Sequence, residues 1–231
     1  MSSFTRSINR VLGQTVGVQV VPARTCPVAL NREWFAKVVH FNRLVEKIAA
    51  VDGDVVECGV ADGSSLAALT ILVSIHGQIR QVWGFDSWAG LPAPSGADLG
   101  DASIAVGGMF SHASTIRVRD ELLAYGLTDQ EITQTVRLVP GLFSETLPPH
   151  KGRIALLHVD VDLYQSYLDC LTHLWPQVQA GGIVAFDEYE ETDSWPGARR
   201  AVDEFFASRS AEVTDLRHDE SSGKWWVMKT A

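Results

Sequence analysis

Apolar residues recur along this chain in two rhythms that alternate. Short, nearly continuous apolar runs read as strands: VVECGV (55–60), QVWGFD (81–86), TVRLVP (135–140), IALLHVDV (154–161) and GGIVAFDEY (181–189). Runs of this kind suit a parallel sheet covered by helices on both faces. Between them the spacing becomes helical. Tyr167, Cys170, Leu171, Leu174, Trp175 and Val178 recur at steps of three and one, and AGG (180–182) is expected to end that helix. Ala198, Ala201, Val202, Phe205 and Phe206 form a second stripe, entered through Ser194 and Pro196. A third helix is expected over 34–48, ahead of the first strand. EVTDLRH (212–218) and KWWVMKT (224–230) have no helix between them and are expected to pair antiparallel. The stretch from Pro92 to Thr115 is rich in Gly, Ala and Ser, more the composition of a lid than of a scaffold. The alternation predicts an α/β, doubly wound, mostly parallel seven-stranded sheet. Ligands then bind outside the carboxyl ends of its strands.

Composition narrows the function classes. The 231 residues, 46% of them hydrophobic, suit one large domain with a substantial core. A formal net charge of −9 argues against nucleic acid or an anionic membrane surface as the main partner. No apolar run reaches membrane-spanning length, and the N-terminus has neither an apolar h-region nor a small-residue cleavage site. Cys26, Cys58 and Cys170 are widely spaced and form no CxxC, which predicts reduced thiols and a cytoplasmic protein.

The strand ends carry the candidate chemistry. After the first strand, Gly59 and Gly63 bracket a turn from which Ser64 and Ser65 enter a helix, giving close backbone approach and free helix N-terminal amides. The pattern E-x-G-x-x-x-G-x-S is not the dinucleotide G-x-G-x-x-G. Glu57 beside this loop would repel a pyrophosphate but suits a cofactor with a cationic end, such as S-adenosylmethionine; the glycine turn is equally compatible with a structural role. The second strand ends in Asp86, near the spacing from Gly59 at which an acid binds ribose hydroxyls. Its alternative role is to cap the following turn. The fourth strand leads to Asp160 and Asp162, and the fifth to Asp187 and Glu188. Four carboxylates at one sheet edge require a neutralising cation. Oxygen ligands favour Mg²⁺, with Mn²⁺ or Ca²⁺ as alternatives; the competing reading is a solvated acidic rim paired with Arg153, Arg199 or Arg200.

Together, VVECGVADGSS, VWGFDSWAGLP, LVPGLFSETLP, LLHVDVDLYQSYLDCLTHLWPQVQAGGIVAFDEY and PGARRAVDEF resemble the macrocin O-methyltransferase family, the metal-dependent sugar O-methyltransferases of antibiotic tailoring. The resemblance runs from about Val55 to Phe206. It implies a class I, Rossmann-like methyltransferase domain over 51–231, behind an N-terminal helical segment or cap over 1–50; the lid at about 92–116 rests on composition alone, since that stretch does not share in the resemblance and leaves the substrate unassigned. It also implies S-adenosylmethionine and Mg²⁺ as cofactors, Asp160, Asp187 and Glu188 as metal ligands, and Asp162 as general base on the substrate hydroxyl, so that Asp162 and Asp160 are the expected catalytic residues. Glu57, Gly59, Gly63, Ser65, Asp86 and Ser87 would surround the cofactor, with Gly141 and Leu142 near the adenine. Two positions depart from the family's usual D-D-Y and D-G-D-L-Y: Glu188 and Val161.

The implied activity is Mg²⁺-dependent O-methylation of a hydroxylated small molecule, the metal gripping a vicinal diol in a sugar or catechol-like ring. A non-catalytic S-adenosylmethionine-binding protein is one alternative, and a nicotinamide-dependent dehydrogenase is another. The N-terminal segment is long enough to reach a second copy, so a homodimer or higher homo-oligomer is expected. Among other residues, His158 reads as a satisfied core histidine and His112 as a lid residue able to assist the base. Tyr164 lines the pocket or packs, Trp88 stacks on adenine or anchors a turn, and Trp225 and Trp226 serve the core or a dimer contact.

Overall fold

The computed structural model describes residues 31–230. Residues 1–30 and 231 lie outside the described residues, and with them Cys26 and most of the N-terminal segment. The elements run α1 (Arg32–Lys47), β1 (Asp54–Cys58), α2 (Ser64–Ile75), β2 (Val82–Asp86), α3 (Thr115–Ala124), α4 (Asp129–Thr135), β3 (Val136–Pro140), α5 (Phe143–Thr146), β4 (Ile154–Val159), α6 (Tyr164–Leu174), β5 (Val178–Phe186), α7 (Pro196–Phe206), β6 (Arg217–Asp219) and β7 (Lys224–Met228). One seven-stranded sheet has the order β3-β2-β1-β4-β5-β7-β6. The first five strands are parallel, and β7 and β6 add antiparallel at one edge.

Side-chain alternation explains why the strands are so apolar. Val56, Leu157, Val184 and Val227 pack with α6 and α7, whereas Val55, Leu156, Ile183 and Trp226 pack with α1, α2, α3 and α4. Both faces are buried, so polar residues are admitted only near the strand ends.

Two boundaries differ from the pattern reading. AGG (180–182) does not end α6 but lies within β5, where Gly181 takes φ +79°. The helix stops at Leu174 because Pro176, in the short 3₁₀ turn Trp175–Gln177, has no N–H to continue the ladder. Val178, placed on the helical stripe, instead opens the strand. The expected strand 212–218 shrinks to Arg217–Asp219, with Val213 joined to Lys229 by an isolated bridge.

The first helix is fixed at two points. Phe41, Leu44, Val45 and Ile48 are buried against the sheet. At the exposed side of that seam, Asp219 accepts from His40 Nδ1 at 3.1 Å and from Arg43 Nη1 at 2.8 Å. Burial opposes ionisation of Asp219, but the hydrogen bonds from Ser221, Arg43 and His40 outweigh it and hold the carboxyl well below its usual range. A depressed pKa contributes stability above the unfolded value of about 3.9 and loses it as pH falls toward the folded value. Asp219→Asn is therefore expected to cost about 1.5–3 kcal/mol at neutral pH. Urea titrations at a series of pH values should show that gap closing below about pH 4. A gap that is constant with pH would mean the ionised clamp contributes nothing.

Candidate active site

A cavity of about 780 Å³ opens at the carboxyl ends of β1, β2, β3 and β4, within the size range of small-molecule sites. The floor on one side is the β1–α2 loop. Gly59 has φ +85°, and a Cβ there would overlap the Asp160 carbonyl oxygen. This close crossing sets the path of both the loop and the acidic segment: Gly59 N donates to Phe85 O at 2.9 Å, and Asp160 N to Cys58 O at 2.9 Å. Gly59→Ala is expected to destabilise the fold by about 3 kcal/mol or more, through overpacking and backbone strain together. Chemical denaturation checks this, and a loss below about 1 kcal/mol would show that the crossing can relax.

Asp86 serves the same loop. Its Oδ2 accepts from Val60 N and Ala61 N, both at 2.9 Å, and its Oδ1 from Trp88 N at 2.7 Å. The carboxylate thus caps its own turn and also lines the cavity. Gly59, Ser65, Ser87, Gly141 and Leu142 line it too. Gly63 is the N-cap of α2 at φ +95°, packed against Val118. Trp88 donates its indole N–H to Ala61 O at 3.1 Å and packs with the core. That makes it a turn anchor. The cavity wall, with Asp86 beside a glycine loop and free α2 amides, fits a nucleoside-bearing donor.

The acidic segment leaves β4 at Val159. Val161 and Leu163 turn into the core, while Asp160 and Asp162 face the cavity. Asp162 sits at φ +61°, and Leu163 N reaches Val161 O at 2.6 Å, closing a three-residue turn around it. This positive-φ turn is a strained form, tolerated at Asp or Asn more readily than at most residues. Burial foremost, then the charges of Asp160, Asp187, Glu191 and Asp86, push the Asp162 pKa up to about 8.

The other wall comes from α1 and the segment 92–116. Trp34 and Lys37 line it, with Ser95, Asp98, Phe110 and His112 opposite. Asp98 is buried and accepts from Tyr164 N at 2.6 Å and from Ser95 N at 2.7 Å. It thereby ties this segment to the first turn of α6, just past Asp162. Gly197 on α7 leaves room for it, since a Cβ there would overlap Asp98 Oδ1. His112 lies at the rim, half exposed, 3.7 Å from Asp62. Tyr164 turns away from the cavity, its hydroxyl 2.5 Å from Glu204 Oε2.

Two sequence-assigned residues, Glu57 and Glu188, sit differently from the expected arrangement. Glu57 lies beneath the cavity rather than on its wall: it is fully buried, and its Oε1 accepts a hydrogen bond from His158 Nδ1 at 2.9 Å. His158 is the core histidine expected, held between Glu57 and Asp187. Burial works against its charge, but these carboxylates keep the proton and its pKa rises to about 9. Glu188 is also buried, with the Tyr167 hydroxyl 2.6 Å from its Oε2. Burial, then Asp160, Asp187 and Asp162, raise its pKa well above the usual range, which favours the protonated carboxyl.

The test for a divalent ion falls on Asp160, Asp187 and their neighbours. One atom each of His158, Asp160 and Asp187 lies within 4.8 Å of the others. The two ring nitrogens of His158, however, face Glu57 and Asp187, and these carboxylates favour its protonated form, which opposes its use as a ligand. The Lys37 ammonium stands between the carboxylates, 3.1 Å from Asp160 Oδ2 and 2.9 Å from Asp187 Oδ1. Burial opposes that charge, yet the two carboxylates raise the Lys37 pKa well above the ordinary ammonium value. Lys224 Nζ lies 2.8 Å from Asp187 Oδ2. Asp160, Asp187 and Glu188 as arranged therefore do not fit joint coordination of Mg²⁺, and no chemical step is assigned to a metal. The pattern reading missed Lys37, Lys224 and Asp98.

The comparisons with known proteins now bear on this cavity. A family model described as Macrocin-O-methyltransferase (TylF) matches residues 34–227. The chain belongs to this family. It is 35% identical over 184 residues to the 8-demethyl-8-(2,3-dimethoxy-alpha-L-rhamnosyl)-tetracenomycin-C 4'-O-methyltransferase of Streptomyces olivaceus, covering 71% of this chain and 67% of that one. It is 37% identical to the demethyldecarbamoylnovobiocin O-methyltransferase of Streptomyces niveus, covering 76% and 66%. The chain thus spans about two thirds of the length of these relatives. Among solved structures, the O-methyltransferase NovP superposes with a TM-score of 0.71 at 29% identity, covering 85% of this chain and 80% of that one. The calicheamicin methyltransferase CalS11 has a TM-score of 0.75 at 24% identity, covering 99% and 93%, and bears on the fold alone. The chain is thus an enzyme of an O-methyltransferase family, on the class I fold.

Among the described residues, no helix is long and apolar enough to cross a membrane.

Proposed function

We propose that this chain methylates a hydroxyl group on the sugar of a glycosylated natural product, with S-adenosylmethionine as donor and Asp162 as general base. The observation that carries the reading is the placement of Asp162. It is held in a strained turn and faces a cavity with the Gly59–Asp86 loop on one side and α1 with segment 92–116 on the other. Donor and acceptor would enter from these two sides and meet at Asp162. The sugar preference is taken from the relatives, whose names place methylation on a rhamnosyl 4' oxygen and on a mycinamicin 3'' oxygen.

When bound, S-adenosylmethionine supplies a methyl group on a positively charged sulfur, ready for in-line attack. Asp86 and the uncapped first-turn amides of α2 orient the nucleoside end, and Asp86 is placed to accept ribose hydroxyls in the manner usual for an acid at this strand end. Asp162 accepts the proton that the acceptor hydroxyl loses as it attacks. A carboxyl with a pKa near neutrality is a stronger base than an ordinary aspartate and still deprotonates at working pH. Asp98 keeps the start of α6 in place, so the base does not swing. Segment 92–116 is read as the lid that excludes water, with Phe110 and Trp34 offering apolar contact to the aglycone.

The test is direct. Purified chain, S-adenosylmethionine and a panel of deoxysugar glycosides are incubated, and products are read by mass spectrometry and NMR. Gain of one methyl on a sugar oxygen, with matching S-adenosylhomocysteine, is expected for at least one glycoside. Methylation at a nitrogen or carbon would count against the reading.

A further inference from the structure

We infer that Lys37 is the resident cation of this site: its ammonium takes the position between Asp160 and Asp187 that a divalent ion would need, so the chain binds free divalent metal weakly. The inference rests on contacts among these side chains and not on the methyl-transfer reading.

Lys37 Nζ donates a hydrogen bond to Asp160 Oδ2 at 3.1 Å and forms an ion pair with Asp187 Oδ1 at 2.9 Å. A Mg²⁺ ion reaches carboxylate oxygens at about 2.0–2.1 Å and needs near-octahedral surroundings. An ion bridging these two oxygens from the cavity side would compete for the ammonium's volume and would feel its repulsion. Two further carboxylate oxygens nearby are engaged as well. Asp187 Oδ2 pairs with Lys224, whose ammonium also donates to the Asp187 carbonyl at 2.9 Å. Glu188 pairs with Tyr167.

The lysine is delivered by architecture, not by a flexible arm. Lys37 precedes Phe41 by four residues and Leu44 by seven, so it lies on the buried face of α1. That helix is docked by its apolar stripe and by the Asp219 clamp. Only about 16% of the Lys37 side chain is exposed. A tethered ammonium held at two points loses little on staying, whereas a free ion must both displace it and strip its own water. Lys37 is thus a positioning residue. It fixes Asp160 and Asp187 and balances their charge next to Asp162.

Mn²⁺ binding to the purified full chain tests this, read from loss of the free-ion EPR signal and by calorimetry, with no methyl acceptor present. Wild type is expected to bind Mn²⁺ in the millimolar range. Lys37→Met should tighten binding at least about tenfold, equivalent to ~1.4 kcal/mol. Lys37→Arg, which keeps the charge, should remain weak. Micromolar Mn²⁺ binding by wild type would overturn the inference and is decided without any variant. So would a folded Lys37→Met chain, verified by circular dichroism, that binds no more tightly than wild type. Because neither readout involves S-adenosylmethionine, a failure of the methyltransferase reading would leave this result intact.

Discussion

Asp162→Asn is expected to lower methyl transfer by about 10²–10⁴-fold, the usual contribution of a positioned general base. Donor affinity should be nearly unchanged. The substitution isolates basicity from shape: Asn is isosteric and is one of the few residues that tolerates the positive φ Asp162 adopts. The turn closed by Leu163 N and Val161 O should therefore persist. Turnover measured alongside a calorimetric titration of S-adenosylmethionine separates the two effects. A variant that turns over at nearly the wild-type rate would remove Asp162 from the reaction. A variant that also loses donor binding would mean that it shapes the cavity rather than serving as base.

Asp86→Ala should act on the other half of the site. Three backbone amides, those of Val60, Ala61 and Trp88, would lose their charged acceptor, and the ribose would lose its own. Hydrogen bonds to charged groups contribute about 1.5–3 kcal/mol each, so affinity for S-adenosylmethionine is expected to fall by about 100-fold. Asp86→Asn should fall less, since one side-chain oxygen can still accept from the loop. Equal affinity in Asp86→Ala and wild type would place the donor elsewhere in the cavity.

Much of this site could be read before the fold was known, because its chemistry sits where strand periodicity ends. An acid that follows a run such as VWGF or ALLHV is conspicuous, and parallel topology then brings those ends together. Val161 and Leu163 continue the alternation past the end of β4, which is why Asp160 and Asp162 were legible as neighbours facing one cleft.

What the pattern concealed were partners from distant elements. Asp160 and Asp187 were expected to need a cation, and they have one, but it is Lys37 from a helix 123 residues before Asp160. One signal was present: a lysine on the same helical face as Phe41, Leu44 and Ile48 is a charge on a buried stripe, and such a charge requires a partner. Lys224 gives no such signal, since a lysine at the first position of a strand, just after a turn, is ordinary. Glu57 misled for a related reason. An acid at a strand end reads as facing a ligand, whereas one step earlier in the pleat it faces His158, which looked like a core residue with no stated partner. Asp98 lies in a segment without periodicity, so only the fold reveals its contact with α6.

The acceptor can be chosen wrongly, so a failed transfer assay is a weaker test than donor binding. The decisive measurement is calorimetric titration of the full wild-type chain with S-adenosylmethionine and, in parallel, with NAD⁺. One S-adenosylmethionine bound per chain, with no heat from NAD⁺, is the predicted result. Binding of NAD⁺ in its place, or of neither, would contradict the assignment of this cavity to methyl transfer.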